Sequence, residues 1–425
     1  MPTDHYRLER LSNGQRLITE KLDHLRSVCL GFWIPAGSRD EPASLVGATH
    51  FIEHLLFKGS SKYTAEEIAQ VFDTLGGELN ASTSREYVVV YGRFLDDQLS
   101  VAMDVMTDML LTPTFSDLDR EREVVLEEIA MVEDSPQDLI FDVLSEVVLD
   151  GHPLAHPIIG TRESISGASE EDIRAYHEAR FQFADMVVAA AGNIDHEVLR
   201  SMLLDRHPVA DGVDPRRAVC TPEPRPRRYF LSKETEQMHV CLGGIGLARD
   251  DERRFQLSVL DSLFGGSLSS RLFQEIREKR GLVYSVYSFS SLYAETGLTG
   301  LYFGCRPERL DAVMETVVRE LVRLGNEPVP EDELQRAKEH LKGHTILGLE
   351  STSSRMTRLG KGVLTETEIL SSDELAERIE AVTSEEVMEL AAEVYRPAAL
   401  SVVGIGAEQD RFEDAVPEDC LAGLV

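Results

Sequence analysis

The chain repeats itself once. HVCLGGIGL at His239 echoes SVCLGFWIP at Ser27, and GLYFGCRPERLDAVMETVVREL at Gly300 echoes VVYGRFLDDQLSVAMDVMTDML at Val89. The offset is about 210 residues, half the chain, which rules out a solenoid of many short units and leaves two large halves of one ancestry. Each half mixes apolar, β-branched runs with amphipathic helical stretches, so the fold class expected is α+β. It comprises two homologous α/β-sandwich domains, each an antiparallel-rich sheet covered by helices. A chain of 425 residues with 42 % hydrophobic content can bury more than one core. The prolines at 208, 215, 222, 224 and 226 mark a linker. The expected division is therefore 1–210, a linker at 211–228, and 229–425.

In the first half, Arg16 to Ile34 reads as a hairpin turning near Asp23 to Arg26, with SVCLGFWI apolar enough for a covered strand. Thr64 can cap a helix that runs to Leu75, and Gly76-Gly77 ends it. The stretch ELNASTSREYVVVYGRF, Glu78 to Phe94, is strand-like, and its small polar first half suits an edge or solvent-facing strand. Helices are expected at Asp97 to Leu111, Ser116 to Asp134 and Glu170 to Arg180. His152 and His156 also stand four apart, but Pro153 and Pro157 make that stretch a loop.

The stretch GATHFIEHLLFKGS, Gly47 to Ser60, carries the chemistry. At about 100° per residue, His50, Glu53 and His54 share one side of a helix while Phe51, Ile52, Leu55 and Leu56 share the other. Two imidazoles one turn apart can reach a single zinc ion at about 2.0 to 2.1 Å, and the adjacent carboxylate can take a proton from water that the metal activates. A surface cluster without a metal remains the alternative until a third ligand is found. In DREREVVLEEIAMVED, Asp119 to Asp134, the residues Val124, Val125, Ile129 and Val132 form a stripe that contains Glu121 and Glu128 while Glu127 points away. A carboxylate on such a face needs compensation, supplied by metal ligation at Glu128 or by an arginine at the stripe's margin.

These motifs together make the chain resemble the pitrilysin-type inverzincin (H-x-x-E-H) zinc metallopeptidases, and within them the bacterial homologues of the mitochondrial processing peptidase beta subunit. The resemblance implies Zn²⁺, one per chain, on His50, His54 and Glu128, with Glu53 as general base. It makes Glu121, seven residues before Glu128, a supporting residue behind the ligands. It implies that Asn80 and Ala81 bind substrate, since an extended peptide can add to an exposed sheet edge. The second copy has SVLDSLF at Ser258 where the first has FIEHLLF, so it lacks the metal motif. GGSLSSRLFQEIREKRGLVYSVYS, Gly265 to Ser288, nevertheless resembles the family's C-terminal half. That likeness makes Arg277 and Tyr284 catalytic residues that hold the substrate backbone or the transition-state oxygen. Its loop reads Gly265-Gly266-Ser267 where the family usually has three glycines, and it lacks the G-K-[ST] of a phosphate loop.

Composition excludes other classes. A formal charge of −32 repels nucleic acid and anionic membrane surfaces, and leaves peptides or unfolded polypeptide as partners. Neither a signal-type apolar segment nor a run of about eighteen apolar residues is present, so no membrane role is expected. The cytoplasm is therefore expected, and Cys29, Cys220, Cys241, Cys305 and Cys420 are odd in number and scattered, against both a disulfide framework and a thiolate zinc site. Family relatives enclose substrate in a closed chamber of four α+β domains, which implies a homodimer for a chain supplying two. The expected activity is zinc-dependent endopeptidase cleavage of strand-like peptides. The alternatives are a non-catalytic peptide-binding or scaffold subunit, or a protease dedicated to one precursor peptide.

Overall fold

A strand that is apolar on both faces needs cover on both sides, and SVCLGFWI is such a strand. In the computed structural model, which describes residues 6–206, 217 and 220–417, it forms β3, Ser27–Ile34. Before it come β1 (Tyr6–Arg10) and β2 (Arg16–Lys21). After it come β4 (Glu78–Thr83), β5 (Val88–Leu95) and β6 (Val187–Gly192). These six make one sheet in the order β1-β2-β6-β3-β5-β4. The helices of this region are α1 (Ala48–Leu56), α2 (Ala65–Thr74), α3 (Leu99–Leu111) and α4 (Leu118–Asp134), followed by α5 (Pro136–Val148).

The two faces of β3 enter different cores. Val28, Leu30, Phe32 and Ile34 pack with Phe51, Ile52 and Leu55 of α1 and Met103 and Met106 of α3. Cys29 and Trp33 point the other way, against Met356, Leu359 and Val363 of the helix Thr352–Leu364. The approach of that helix depends on two glycines, since a Cβ on Gly31 would overlap Sδ of Met356 and one on Gly360 would overlap the Trp33 indole. Nε1–H of Trp33 donates to Sδ of Met356 at 3.3 Å, and buried Glu20 pairs with Arg355.

The expected hairpin of β2 and β3 is not formed. β6 lies between them, parallel to β2 and antiparallel to β3. Every residue of VVAAAG is buried, so this strand requires partners on both edges and cover on both faces, which an inner position supplies. The stretch Glu78 to Phe94, read as one strand, is instead the antiparallel pair β4 and β5, because the chain turns at Ser84 to Tyr87. Elsewhere the local signals are realised. Thr64 and Glu67 form a capping box on α2, and the helix Glu170–Arg180 has the expected bounds. On α4 the buried residues are Leu118, Glu121, Val125 and Ile129, whereas Val124 is 41 % exposed; the core-facing stripe is narrower than the one expected.

The second sheet contains β7 (Arg228–Ser232), β8 (Met238–Gly246), β9 (Val283–Leu292), β10 (Gly297–Cys305) and β11 (Ser401–Gly406), in the order β7-β11-β8-β10-β9. It reproduces β2-β6-β3-β5-β4 strand for strand. The pairs β2–β6 and β7–β11 are parallel and the others antiparallel. The duplication is thus present as topology, and the fold is two-domain with mixed helices and sheets. One face of the second sheet, with Cys241, Tyr302, Val403 and Ile405, is covered by Ile140, Val143, Leu144 and Val148 of α5.

By contacts the chain divides into two compact units. One comprises Met1–Ala130, His156–Ala218 and Leu347–Ser371; the other comprises Met131–Ala155, Val219–Ile346 and Ser372–Val425. To a division that is contiguous in sequence, these units add an exchange of two segments. Each sheet has one face covered by a helix from the other half of the chain, α5 in one case and Thr352–Leu364 in the other. Of the linker expected at 211–228, residues 211–216, 218 and 219 lie outside the described residues, 220–227 form neither helix nor strand, and Arg228 already belongs to β7. Among the described residues no helix is long and apolar enough to cross a membrane.

Trp33 is the sole tryptophan, so its emission reports on this exchanged helix. Gly360→Ala forces a methyl into the indole and should lower unfolding stability by about 1–3 kcal/mol with a red-shifted native emission, measured by fluorescence-detected chemical unfolding. A variant as stable as the parent, with unchanged emission, would show that the helix does not need this close approach.

Candidate metal centre

Helix α1 starts without a capping side chain of its own. Its N-cap is Gly47, in the left-handed region at φ 92° and packed against Gly160, where a side chain would be both strained and obstructed. The free amides are served from a distance, as the carboxylate of Glu41 accepts from Gly47 N–H at 2.6 Å and from Thr49 N–H at 2.7 Å. Burial pushes the Glu41 carboxyl up to about 8, against these hydrogen bonds, which favour its charged form. The loop carrying Glu41 is itself held. Arg39 N–H donates to the carbonyl of Arg85 at 3.1 Å, and its guanidinium meets Glu86 at 2.6 Å with both side chains buried.

With its start fixed, α1 sinks Phe51, Ile52, Leu55 and Leu56 into the core and turns His50, Glu53 and His54 to a partly accessible side. Glu128 of α4 meets them there. Its Oε2 lies 3.4 Å from Nε2 of His54 and 3.7 Å from Nε2 of His50. One ligand atom from each of the three residues lies within 4.8 Å of the others, the group among the described residues able to hold a metal ion. Ligands about 2.0–2.2 Å from a tetrahedral ion stand roughly 3.3–3.6 Å apart, close to the 3.4 and 3.7 Å that separate Glu128 from the two imidazoles. Two imidazoles and a carboxylate with a fourth position open is a donor set suited to zinc.

The protonation states fit as well. Nδ1 of His54 is 2.9 Å from Oε1 of Glu121, so with the proton on Nδ1 its Nε2 lone pair faces Glu128. Glu121 is buried and also pairs with Lys58 at 2.8 Å, which fixes its orientation. Burial, with the nearby His54, holds His50 down at about 4, hence neutral and able to ligate at pH 7. Glu53 is raised above the usual carboxylate range by burial and by Glu128, an effect opposed by the hydroxyl of Thr83 and by His54. That direction moves a carboxylate toward the basicity useful for proton transfer near neutral pH.

The remaining residues singled out in the sequence fall in two places. Asn80 and Ala81 lie on β4, the last strand of the first sheet. The Asn80 side chain is exposed and its Oδ1 accepts from Ala81 N–H at 2.8 Å. Arg277 and Tyr284 belong to the second unit and come together, with the guanidinium carbon 4.8 Å from the Tyr284 ring centroid and 4.7 Å from that of Phe273. Tyr284 is 75 % exposed. Three neighbours of the site escaped sequence reasoning: Glu41, Lys58 and Thr83. A helix beginning at glycine with no capping side chain is a signal for a distant acceptor such as Glu41, whereas Lys58 had none, since its partner Glu121 is remote in sequence.

Comparison with known proteins agrees with this arrangement. The family model described as Insulinase (Peptidase family M16) matches residues 16–162, and that described as Peptidase M16 inactive domain matches residues 167–341. The chain is 42 % identical over 419 residues to an uncharacterized zinc protease of Streptomyces coelicolor, covering 96 % of this chain and 91 % of the relative. It is 38 % identical over 390 residues to one of Bacillus subtilis, covering 90 % and 94 %. In fold it is similar to a protease from Helicobacter pylori, with TM-score 0.87 at 20 % identity over 94 % of this chain and 99 % of that one. A structure titled as a peptidase M16 inactive domain from Pseudomonas fluorescens gives TM-score 0.87 at 22 % identity over 95 % and 98 %.

Glu121 faces Nδ1 of His54, not the Nε2 that approaches Glu128. Glu121→Ala should weaken Zn²⁺ affinity about 10- to 100-fold in chelator competition without abolishing binding. Complete loss of the ion would make Glu121 itself a donor, and undiminished affinity would remove its role.

Proposed function

Because the chain belongs to peptidase family M16, the insulinase family, we propose that it is a zinc-dependent endopeptidase acting on peptides or unfolded segments bound as an extended strand. The observation that carries this reading is the convergence of Nε2 of His50, Nε2 of His54 and Oε2 of Glu128, with Glu53 on the same side of α1. His50, His54 and Glu128 would hold the ion. When bound, zinc supplies the Lewis acidity that polarises a carbonyl and lowers the pKa of water. Glu53 takes the proton of the attacking water and passes it to the leaving amine nitrogen. Glu121 keeps the His54 ring in its ligating tautomer.

Asn80 and Ala81 hold the substrate backbone along β4, a reading supported by the position of β4 at the end of the sheet. Arg277 and Tyr284 contact the substrate or its developing oxyanion, as the family resemblance implies; the stacking of Arg277 on Tyr284 supports their acting as a pair. A homodimer enclosing a chamber belongs to the same reading. So does the cytoplasm, supported by the free thiols of Cys29, Cys220, Cys241 and Cys305. The scaffold alternative gains from the description of the second half as an inactive domain, but a full donor set with a carboxylate beside it has no use in a scaffold.

Purified protein should contain about one zinc per chain, lost in His54→Ala, and Glu53→Gln should keep zinc and peptide binding while turning over about 10²- to 10⁴-fold more slowly. Zinc retained in both His50→Ala and Glu128→Ala, or normal turnover by Glu53→Gln, would remove the ligand or the base assignment. Mixing Glu53→Gln with Arg277→Ala should restore chelator-sensitive cleavage once subunits exchange. Continued inactivity after confirmed exchange would show that complementation between chains does not occur.

A further inference from the structure

Along β4 the side chains alternate, with Glu78, Asn80 and Ser82 exposed while Leu79 and Ala81 pack against the core. Thr83 falls on the Leu79–Ala81 face, where the alternation alone calls for an apolar residue. Its Oγ1–H donates to Oε2 of Glu53. Among the described residues it is the one side-chain hydrogen-bond partner of that carboxylate. A glutamate side chain has several rotatable bonds and loses up to about 1.5–2 kcal/mol of rotamer freedom when fixed, so it stays mobile unless something holds it. Threonine suits that task, since branching at Cβ restricts its χ1.

The backbone behind Thr83 is equally constrained. It pairs with Val88 of β5, and Ser84 N–H donates to the Tyr87 carbonyl at 2.8 Å. Ser38 N–H donates in turn to the Ser84 carbonyl at 3.3 Å, tying the turn to the loop that carries Glu41 and so to the start of α1. The strand end and the helix bearing Glu53 are therefore joined twice, once through this loop and once through the Thr83 hydroxyl.

We propose that Thr83 is a positioning residue, whose hydroxyl holds Oε2 of Glu53 and leaves Oε1 to take the proton. The inference rests on the reading of Glu53 as general base and deepens it. Thr83 is two residues from Ala81, so the strand proposed to seat the peptide also aims the base.

The test compares Thr83→Val, which keeps the shape and removes the donor, with Thr83→Ser, which keeps the donor. Each is prepared alone and Thr83→Val also with Glu53→Gln. Readouts are kcat and KM for a peptide, zinc per chain, thermal midpoint, and the peptide affinity of the metal-free protein. Thr83→Val should lower kcat about 10- to 100-fold with the other quantities unchanged, and Thr83→Ser should stay within about threefold of the parent. Adding Thr83→Val to Glu53→Gln should cost nothing further, because the hydroxyl would act through the missing carboxylate. The proposal is overturned if Thr83→Val keeps kcat within about threefold while Glu53→Gln is slow. It is overturned equally if the loss comes with lost zinc, a lower midpoint or a raised KM, or if Thr83→Ser does not rescue it. Normal turnover by Glu53→Gln instead removes the base assignment, and the role of Thr83 goes with it.

Discussion

Two imidazoles and a carboxylate from different helices meet within 4.8 Å because the opposite face of α1 has nowhere else to go. Phe51, Ile52, Leu55 and Leu56 are fully buried, each contributing about 1.5–3 kcal/mol relative to exposure. Rotating the helix to separate its histidines from Glu128 would bring those side chains into water. The polar gathering opposes folding to a lesser degree, since His50 stays neutral and Glu121 is paired with both His54 and Lys58. Hydrophobic anchoring thus sets the aim of the polar side, and Glu41 fixes the helix where it begins.

The same framework without the histidines occurs in the second half. The helix Arg254–Phe264 carries Leu260 and Asp261 where the first copy has Glu53 and His54. Asp261 is partly buried, accepts a hydrogen bond from Ser290 at 3.0 Å, and is raised by desolvation above its ordinary value. Its carbonyl also accepts from the amides of Gly265 and Gly266, so this position in the second copy supports the glycine loop. Duplication has kept a strand order and a helix placement while the position of His54 has passed to Asp261, whose carboxylate accepts from Ser290.

Covering each sheet with a helix from the other half has a mechanical consequence. Neither half of the sequence contains all the apolar surface that its own sheet must bury. Trp33, Cys29 and Ala189 would face water without Met356 and Leu359, and Val403 and Ile405 would do so without Leu144. Folding of the first sheet therefore depends on residues more than 300 positions away, a long-range closure of the kind that slows folding.

Periodicity made α1 legible from its sequence because the helix is amphipathic: the apolar and polar residues of ATHFIEHLL separate at a helical period whatever they pack against. Capping was readable for Thr64, whose partner Glu67 is three residues on, and the repeat implied the shared topology. The pairing of β2 with β6, the exposure of Val124, and the contacts of Glu41 with α1 and of Thr83 with Glu53 were not readable in this way. These are meetings of residues distant in sequence, and a local pattern carries no information about a distant partner. What the sequence by itself determined was which residues share a face and which chemistry that face offers, because both follow from the local period. What only the tertiary structure decided was which faces meet, because that depends on how each sheet buries its second side.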